Sequence, residues 1–293
     1  TNQNLVINAA LNSGGGAIDL DAAGNITSIG AGSITSTSNQ ADGTSGLIEI
    51  DAGGQVNLAA SVSTAGNATN GDANNILITT VNGSINVVAL DASGLGTGAG
   101  GDVSLDANGV NADITLGGAV LTNGAGTVNL SAQDAIVFDA TGNVNAAGTG
   151  NVSVTANAID AGGDSGAGIN MVAGSFINAG TGTVASGLIL LQSTGTNGGS
   201  IVAQQLTTRS NSIQINSGAG INVQQALASG GGAVDLDAVT TINSSATGTI
   251  TTTAAANSGA ASGSLTINAS TSIDLDGNLV TAGANHNGAG ATA

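Results

Sequence analysis

The chain has 293 residues, of which 49 are Gly, and it contains no Cys, Pro, Trp or Tyr. Its formal net charge is −17, and Arg209 is its single Arg or Lys. Nucleic acids and anionic lipid surfaces bind through cationic side chains, so this balance excludes both as partners. No apolar run approaches the roughly 18 residues of a membrane helix, so we expect no membrane insertion. A chain that opens on Thr without a basic segment is expected to be a processed product or an excerpt.

Short segments of alternating apolar and polar residues recur along the whole chain. The main series is AIDLDA at 17, LIEIDA at 47, NILITT at 75, DVSLDA at 102, TVNLSA at 127, NVSVTA at 151, GLILLQS at 187, SIQINS at 212, AVDLDA at 233 and SLTINA at 264. A second segment usually follows, such as GQVNL (54–58) or ADITL (112–116), and then a third, such as SVSTAG (61–66) or AVLTNG (119–124). Alternation with period two predicts strands with one buried face.

The order of these segments predicts the fold. A unit of roughly 20 to 30 residues that repeats many times is typical of a solenoid, whereas a sandwich has no reason to repeat a three-strand unit. No segment shows a sustained helical pattern. We therefore predict an all-β chain, a right-handed parallel β-helix of about ten three-strand coils without helices, roughly 50 Å long. The interval from 151 to 212 is predicted to hold two irregular coils.

A longer repeat contains these coils. GGGAIDLDA at Gly14 returns as GGGAVDLDA at Gly230, and 14 of 24 positions match between 14–37 and 230–253. After a one-residue insertion, 46–66 matches 263–283. We predict that residues 1–293 form a single continuous solenoid, with an internal long repeat over 1–216 and a partial second copy over 217–293.

The pattern GxVxLxA, then GxIxL, then xVxTxG resembles the repeats of filamentous haemagglutinin-type exoproteins and bacterial autotransporter passenger domains. The match covers essentially the whole chain. The resemblance implies an extracellular protein at the bacterial cell surface, a stiff segment of a secreted fibre or giant adhesin that serves attachment or an extracellular matrix. We see no capping segment, so the expected partners are neighbouring copies or modules, end to end or side by side. Host, cell-surface or matrix glycans are further expected partners.

Four acidic pairs are the candidate site residues. They are Asp19 with Asp21, Glu49 with Asp51, Asp235 with Asp237, and Asp274 with Asp276. The two members of each pair point outward together. If the first two coils are in register, the first two pairs form a patch of four carboxylates about 5 Å apart along the stack.

Such a patch has two interpretations. Carboxylates that close repel one another, and calcium, which accepts carboxylate and carbonyl oxygens, would relieve the repulsion at either set of pairs. The alternative is a solvated acidic stripe that keeps a fibre soluble. The second copy favours the stripe, because Thr266 and Asn268 stand where the first copy has Glu49 and Asp51.

The sequence is also compatible with two functions other than that of a structural rod. The first is an adhesive module that binds a glycan or calcium on the outer face of the rod. The second is a polysaccharide-active β-helix enzyme, which places acidic residues in a cleft beside aromatic and basic side chains. This chain has Phe138 and Phe176 as its aromatic residues and one Arg, so we predict no enzyme, no catalytic residue and no cofactor other than calcium.

Three smaller features complete the predictions. AGGDSGAG at 161–168 is predicted to be a loop, and His286 and Arg209 are predicted to be surface residues. The pairs Gln204-Gln205 and Gln224-Gln225 are predicted to lie on exposed strands.

Overall fold

Consecutive strands of the chain enter three different sheets in turn. The computed structural model describes residues 3–67, 69–157, 168–180, 186–194, 199–254 and 261–282. Within these ranges there are 32 strands and no helix. In chain order they are β1 (Leu5–Ile7), β2 (Leu11–Asn12), β3 (Ile18–Ala22), β4 (Ile26–Ser28), β5 (Ile34–Thr35), β6 (Ile48–Ala52), β7 (Val56–Leu58), β8 (Val62–Ser63), β9 (Ile76–Thr80), β10 (Ile85–Val87), β11 (Leu90–Ala92), β12 (Val103–Ala107), β13 (Ile114–Leu116), β14 (Val120–Gly124), β15 (Val128–Ala132), β16 (Ile136–Phe138), β17 (Val144–Gly148), β18 (Val152–Ala156), β19 (Ile169–Met171), β20 (Phe176–Ala179), β21 (Ile189–Ser193), β22 (Ile201–Ala203), β23 (Gln205–Thr208), β24 (Ile213–Ser217), β25 (Ile221–Val223), β26 (Leu227–Ala228), β27 (Val234–Ala238), β28 (Thr241–Ser244), β29 (Ile250–Thr251), β30 (Leu265–Ala269), β31 (Ser272–Leu275) and β32 (Leu279–Val280).

Every third strand belongs to the same sheet. Sheet 1 runs β1, β4, β7 and so on to β31, sheet 2 runs from β2 to β32, and sheet 3 runs from β3 to β30, with 11, 11 and 10 strands. Neighbouring strands are parallel throughout, as in the pairs β3–β6 and β12–β15. One coil is therefore one strand of each sheet. The prediction of a right-handed, three-strand parallel β-helix of about ten coils is confirmed, and the interval from 151 to 212 holds the two predicted coils.

The core consists of ladders of apolar side chains, one rung from each coil. In sheet 3 the first inward position runs through Ile48, Ile76 and Val103 in register, and all three are fully buried. The alternation predicted from the sequence thus puts β-branched residues inside a pleated, closely stacked surface, where they pack well. Phe138 occupies one rung of a sheet 1 ladder between Leu116 and Met171 and is also fully buried. The interior of the described coils therefore accommodates an aromatic ring.

Some inward rungs carry a hydroxyl instead of a methyl group. These residues lie beside the corners between sheets, where backbone carbonyls face inward. Thr122 Oγ1 donates to Gly101 O at 2.6 Å, and Ser217 Oγ donates to Gly220 O at 3.0 Å. These two buried hydroxyls are thus satisfied by corner carbonyls. The buried hydroxyls of Ser28, Ser193 and Thr252 make no hydrogen bond within the described residues.

Asn and Asp side chains connect successive coils at the corners. Asp102 Oδ1 accepts the backbone N–H and the hydroxyl of Thr127 in the next coil, at 2.7 and 2.8 Å. Asn75 Oδ1 accepts the N–H of Asp102 itself at 2.8 Å, so the contacts continue from coil to coil. Asn25 Oδ1 accepts from Gln55 N at 2.9 Å at another corner. These contacts extend the backbone ladder beyond the strand ends.

A glycine ladder precedes the strands of sheet 3, two positions before the first strand residue. Its members are Gly16, Gly46, Gly101, Gly126, Gly150, Gly187, Gly232 and Gly263, with Asn74 and Asn211 at the two remaining rungs. A Cβ on Gly150 would lie 1.8 Å from Gly126 O, and one on Gly263 would lie 2.0 Å from Gly232 O. Glycine occurs here because the backbones of neighbouring coils touch.

Strands of the two sequence copies occupy equivalent places in the coil. Ile221 of β25 lies 216 positions after Leu5 of β1, and Val234 of β27 lies 216 positions after Ile18 of β3. Since β25 follows β1 by 24 strands, this offset equals eight full coils. The repeated turn also has the same backbone, with φ of 65° and 108° at Gly14 and Gly15 and of 59° and 112° at Gly230 and Gly231.

The prediction that both Gln pairs lie on exposed strands is wrong for three of the four residues, since Gln204, Gln224 and Gln225 lie at corners between strands. Gln204 is 5% exposed, at the corner between β22 and β23, and its Nε2 donates to Met171 O at 3.3 Å. Gln205 begins β23 and is exposed, as predicted. The amide of Gln204 turns inward because it satisfies a carbonyl of the preceding coil. The predictions for 161–167 and for His286 lie outside the described residues.

Candidate functional site along one corner of the rod

The first acidic pairs lie in register on the outer face of sheet 3. Asp19 is the partner of Glu49, and Asp21 is the partner of Asp51, in the parallel pair β3–β6. Strand spacing puts the paired residues about 4.8 Å apart along the stack. Asp19 and Asp21 are exposed, while Glu49 and Asp51 are half-buried. The next strand, β9, offers Leu77 and Thr79 at the same positions, so the carboxylate patch ends there.

The later pairs do not form a second patch of four. Asp235 and Asp237 lie in sheet 3 between Gln214 and Asn216 on one side and Thr266 and Asn268 on the other. The Asn268 amide donates to Asp237 Oδ1 at 2.7 Å. Asp274 lies in sheet 1, opposite Asn243, and Asp276 follows that strand. The two pairs are on different faces because the intervening corner separates β30 from β31.

Asp235 differs from the other candidate carboxylates in its environment. Its Oδ1 is buried and makes no hydrogen bond within the described part of the chain. Burial raises the pKa of Asp235, and the negative charge of Asp237 raises it further. The carboxyl group of Asp235 is therefore easier to protonate than that of an ordinary Asp.

Metal coordination at these carboxylates remains a prediction. In the described ranges no group of three or more His, Asp or Glu side chains stands in an arrangement that could hold a metal ion. A calcium ion between β3 and β6 would have to draw the four stacked carboxylates together. These four side chains are on the outer face of the sheet, so they could move together without a change in the backbone register.

Hollows lie beside the acidic rows, along the corner that joins sheet 3 to sheet 1. One of about 390 Å³ is lined by Asp21, Asp51 and Thr79 on one side and by Ala23 and Val81 on the other. A second, of about 430 Å³, is lined by Asn216 and Asp237, with Val239 and Ser270 at the turn. A smaller one of about 190 Å³ lies between them, at Val110 and Gln133. We call this line of hollows the corner groove.

The corner groove joins the two sequence copies. Asp237 and Val239 lie 216 positions after Asp21 and Ala23, on the same corner eight coils later, and they line the hollow of about 430 Å³, whose first strand, β21, follows β3 by six coils. Sequence reasoning found the carboxylates but missed the groove. A hollow depends on how the backbone turns the corner, and the sequence has no uniform signal for it, because the residue after a strand of sheet 3 is small at Ala23 and Gly53 but is Val at position 239.

Comparison with known protein families, with curated proteins and with solved structures found no match to this chain. No helix of the described residues is long and apolar enough to cross a membrane.

Proposed function

We propose that the chain is a structural segment of a secreted bacterial surface fibre or giant adhesin, where it forms a stiff rod for attachment or for an extracellular matrix. The observation that carries this proposal is the unbroken stack of three parallel sheets, built from a module of eight coils. Function in such a rod is geometric. Length is set by the number of coils, and stiffness follows from the continuous backbone ladder.

Composition and charge support the extracellular setting of this proposal. A net charge of −17 favours solubility of the rod, and a chain with Arg209 as its one Arg or Lys offers trypsin-like proteases a single cleavage position. The resemblance to haemagglutinin-type repeats points to the same setting. Contacts between neighbouring copies or modules, end to end or side by side, belong to the proposal as the means by which rods become fibres.

Electron microscopy of the native, full-length material from the cell surface tests the proposal. We expect continuous fibres with an axial repeat of about 38 Å, the height of eight coils at the usual strand spacing. Diffraction from aligned fibres should add a reflection near 4.8 Å along the fibre axis. Isolated globular particles without an axial repeat would contradict the proposal. Short rods that end in a distinct head would move the adhesive function to the head.

The second candidate is a binding module, and the corner groove favours it. Its hollows and the polar residues beside them lie along one edge of the rod, in both sequence copies. The two candidates are compatible, because a rod that carries a binding edge serves both as support and as contact surface.

A further inference from the structure

We propose that the corner groove binds a linear polysaccharide of uncharged sugars, which lies along the rod axis across successive coils. The proposal deepens the proposed function, since a surface or matrix fibre would meet such polymers. It rests on the shape, the chemistry and the charge of the groove.

The shape of the groove favours a linear ligand. The larger hollows each cross at least three strands of sheet 3, β3, β6 and β9 in one case and β21, β24 and β27 in the other. The small hollow, at the ends of β12 and β15, lies on the same corner between them. A ligand that fills these spaces runs parallel to the axis and passes a new coil about every 4.8 Å.

The chemistry of the two walls matches a sugar ring. Asp21, Asp51 and Thr79 provide oxygens on one wall, and no hydrogen bond to either carboxylate occurs among the described residues. Such oxygens are free to accept hydrogen bonds from sugar hydroxyls. The other wall is apolar and can pack against the C–H groups of the ring.

Exposed valines mark the apolar wall at all three hollows. Val81, Val110 and Val239 are 62%, 68% and 58% exposed, whereas the valines of the core ladders are almost completely buried. None of the three contributes to the interior, and each follows a strand of sheet 3 at the same corner. A ligand in the groove would cover these side chains.

Charge selects among polymers. With a net charge of −17 the rod repels acidic polysaccharides, so uronic-acid or sulfated chains are excluded. A polycation would bind anywhere on this surface and would not need a groove. Binding of an uncharged chain depends on the shape and the hydrogen-bonding groups of the groove, and not on the net charge of the rod.

Binding at one hollow should be weak, because no aromatic ring lines the larger hollows to stack on a sugar. Affinity should then grow with ligand length, as one chain contacts successive hollows. The test is titration calorimetry of this chain with oligomers of glucose and of N-acetylglucosamine, from two to twelve sugars. Each series is run in EDTA and again in calcium, and hyaluronate serves as the acidic probe.

A pair of matched variants makes the test specific. Asp21→Ala with Asp51→Ala removes the carboxylates of one hollow, and we expect about tenfold weaker binding of long oligomers. Asp19→Ala with Glu49→Ala removes the same charge from the same strands but outside the groove lining, and should leave binding unchanged. Circular dichroism verifies that both variants keep the fold.

The outcomes separate this proposal from the proposed function. Length-dependent binding that fails only in the Asp21/Asp51 variant supports the groove. Absence of binding by all uncharged oligomers, equal loss in both variants, binding that needs calcium, or equal binding of hyaluronate overturns it. Fibres with the eight-coil repeat in the microscope would leave the structural role standing in each of these cases.

Discussion

Single residues decide how closely the coils can stack. At Gly150 the backbone of one coil lies against the carbonyl of Gly126 in the coil before it. The backbone φ is not positive at this residue, so the requirement is for space and not for a left-handed conformation. At the two rungs without Gly, Asn74 and Asn211 donate to carbonyls of the preceding coil, Ser45 O at 3.1 Å and Ser186 O at 2.8 Å.

Gly150→Ala should destabilise the chain by about 2 to 3 kcal/mol, because the added Cβ meets a backbone oxygen that has no room to move. Chemical denaturation followed by circular dichroism measures the change. Gly30→Ala is the control, since its Cβ would have nothing within 4 Å and should cost little. Equal effects of the two substitutions would refute the close-contact explanation of the glycine ladder.

Asp235 makes the stability depend on pH. Its folded-state pKa is raised, so the folded chain binds its proton more tightly than the unfolded chain does, and stability falls as pH rises through the range between the two values. Asp235→Asn should therefore raise the melting temperature at pH 7, and the gain should vanish below the ordinary pKa of Asp. The exposed Asp19, 216 positions earlier, is the control and should give no gain as Asn. A gain that persists in acid would exclude the charge as its cause.

Elements hold together through strand ladders and through the corners that extend them. The Asp102 carboxylate ties the N–H and hydroxyl of Thr127 to its own coil, at the entry to β12 and β15. Such charge-assisted bonds to a backbone N–H are stronger than neutral ones. The corners therefore contribute to cohesion in addition to the strands.

Asp102→Ala should lower the stability by about 2 kcal/mol, because Thr127 loses its acceptor while remaining partly buried. Asp106→Ala is the matched control, since it removes an equal charge from the outer face of the same strand, β12. Hydrogen exchange should show faster exchange of the Thr127 amide in the first variant alone. Unchanged exchange at Thr127 would mean that the side-chain bond adds no protection.

Strand identity and register could be predicted from the sequence. Because Asp19 alternates with the apolar Ile18 and Leu20, only one face of this strand can be buried. The pairing of Asp21 with Asp51 follows from the same alternation. Gln204 could not be placed in this way, because a polar residue at a corner satisfies whichever carbonyl the turn presents. The corner groove was hidden for the same reason, since its depth depends on turn geometry that no periodic pattern records.

The whole molecule is organised by the eight-coil module. Strands 24 apart in the chain have the same place in the coil, as β3 and β27 do, and the first inward residues of these two strands, Ile18 and Val234, are both buried. In such an array, stability is approximately a sum over coils and the contacts between neighbours. Whole modules can thus be added without disturbing a junction.

Inserting a second copy of residues 14–229 after Ser229 should lengthen the folded rod by about 38 Å. The new junction would repeat contacts that already exist between Ser13 and Gly14 and between Ser229 and Gly230. Small-angle scattering measures the maximum dimension. As a control, an insertion shorter by half a coil should misalign the sheets and lose the parallel β signal on circular dichroism. A folded but unlengthened product of the full insertion would contradict the modular register.

The hydrogen bonds between coils all run along the rod axis, and this direction determines how the rod responds to force. A pull on its ends loads the three strands of a terminal coil in line with their bonds, so coils should peel away one after another. Each coil stores about 27 residues of the 216-residue offset. Fully extended, that length reaches about 90 Å, in place of about 4.8 Å while folded. Under load the rod would then lengthen as successive coils unfold. This unfolding would absorb mechanical work before any covalent bond is strained.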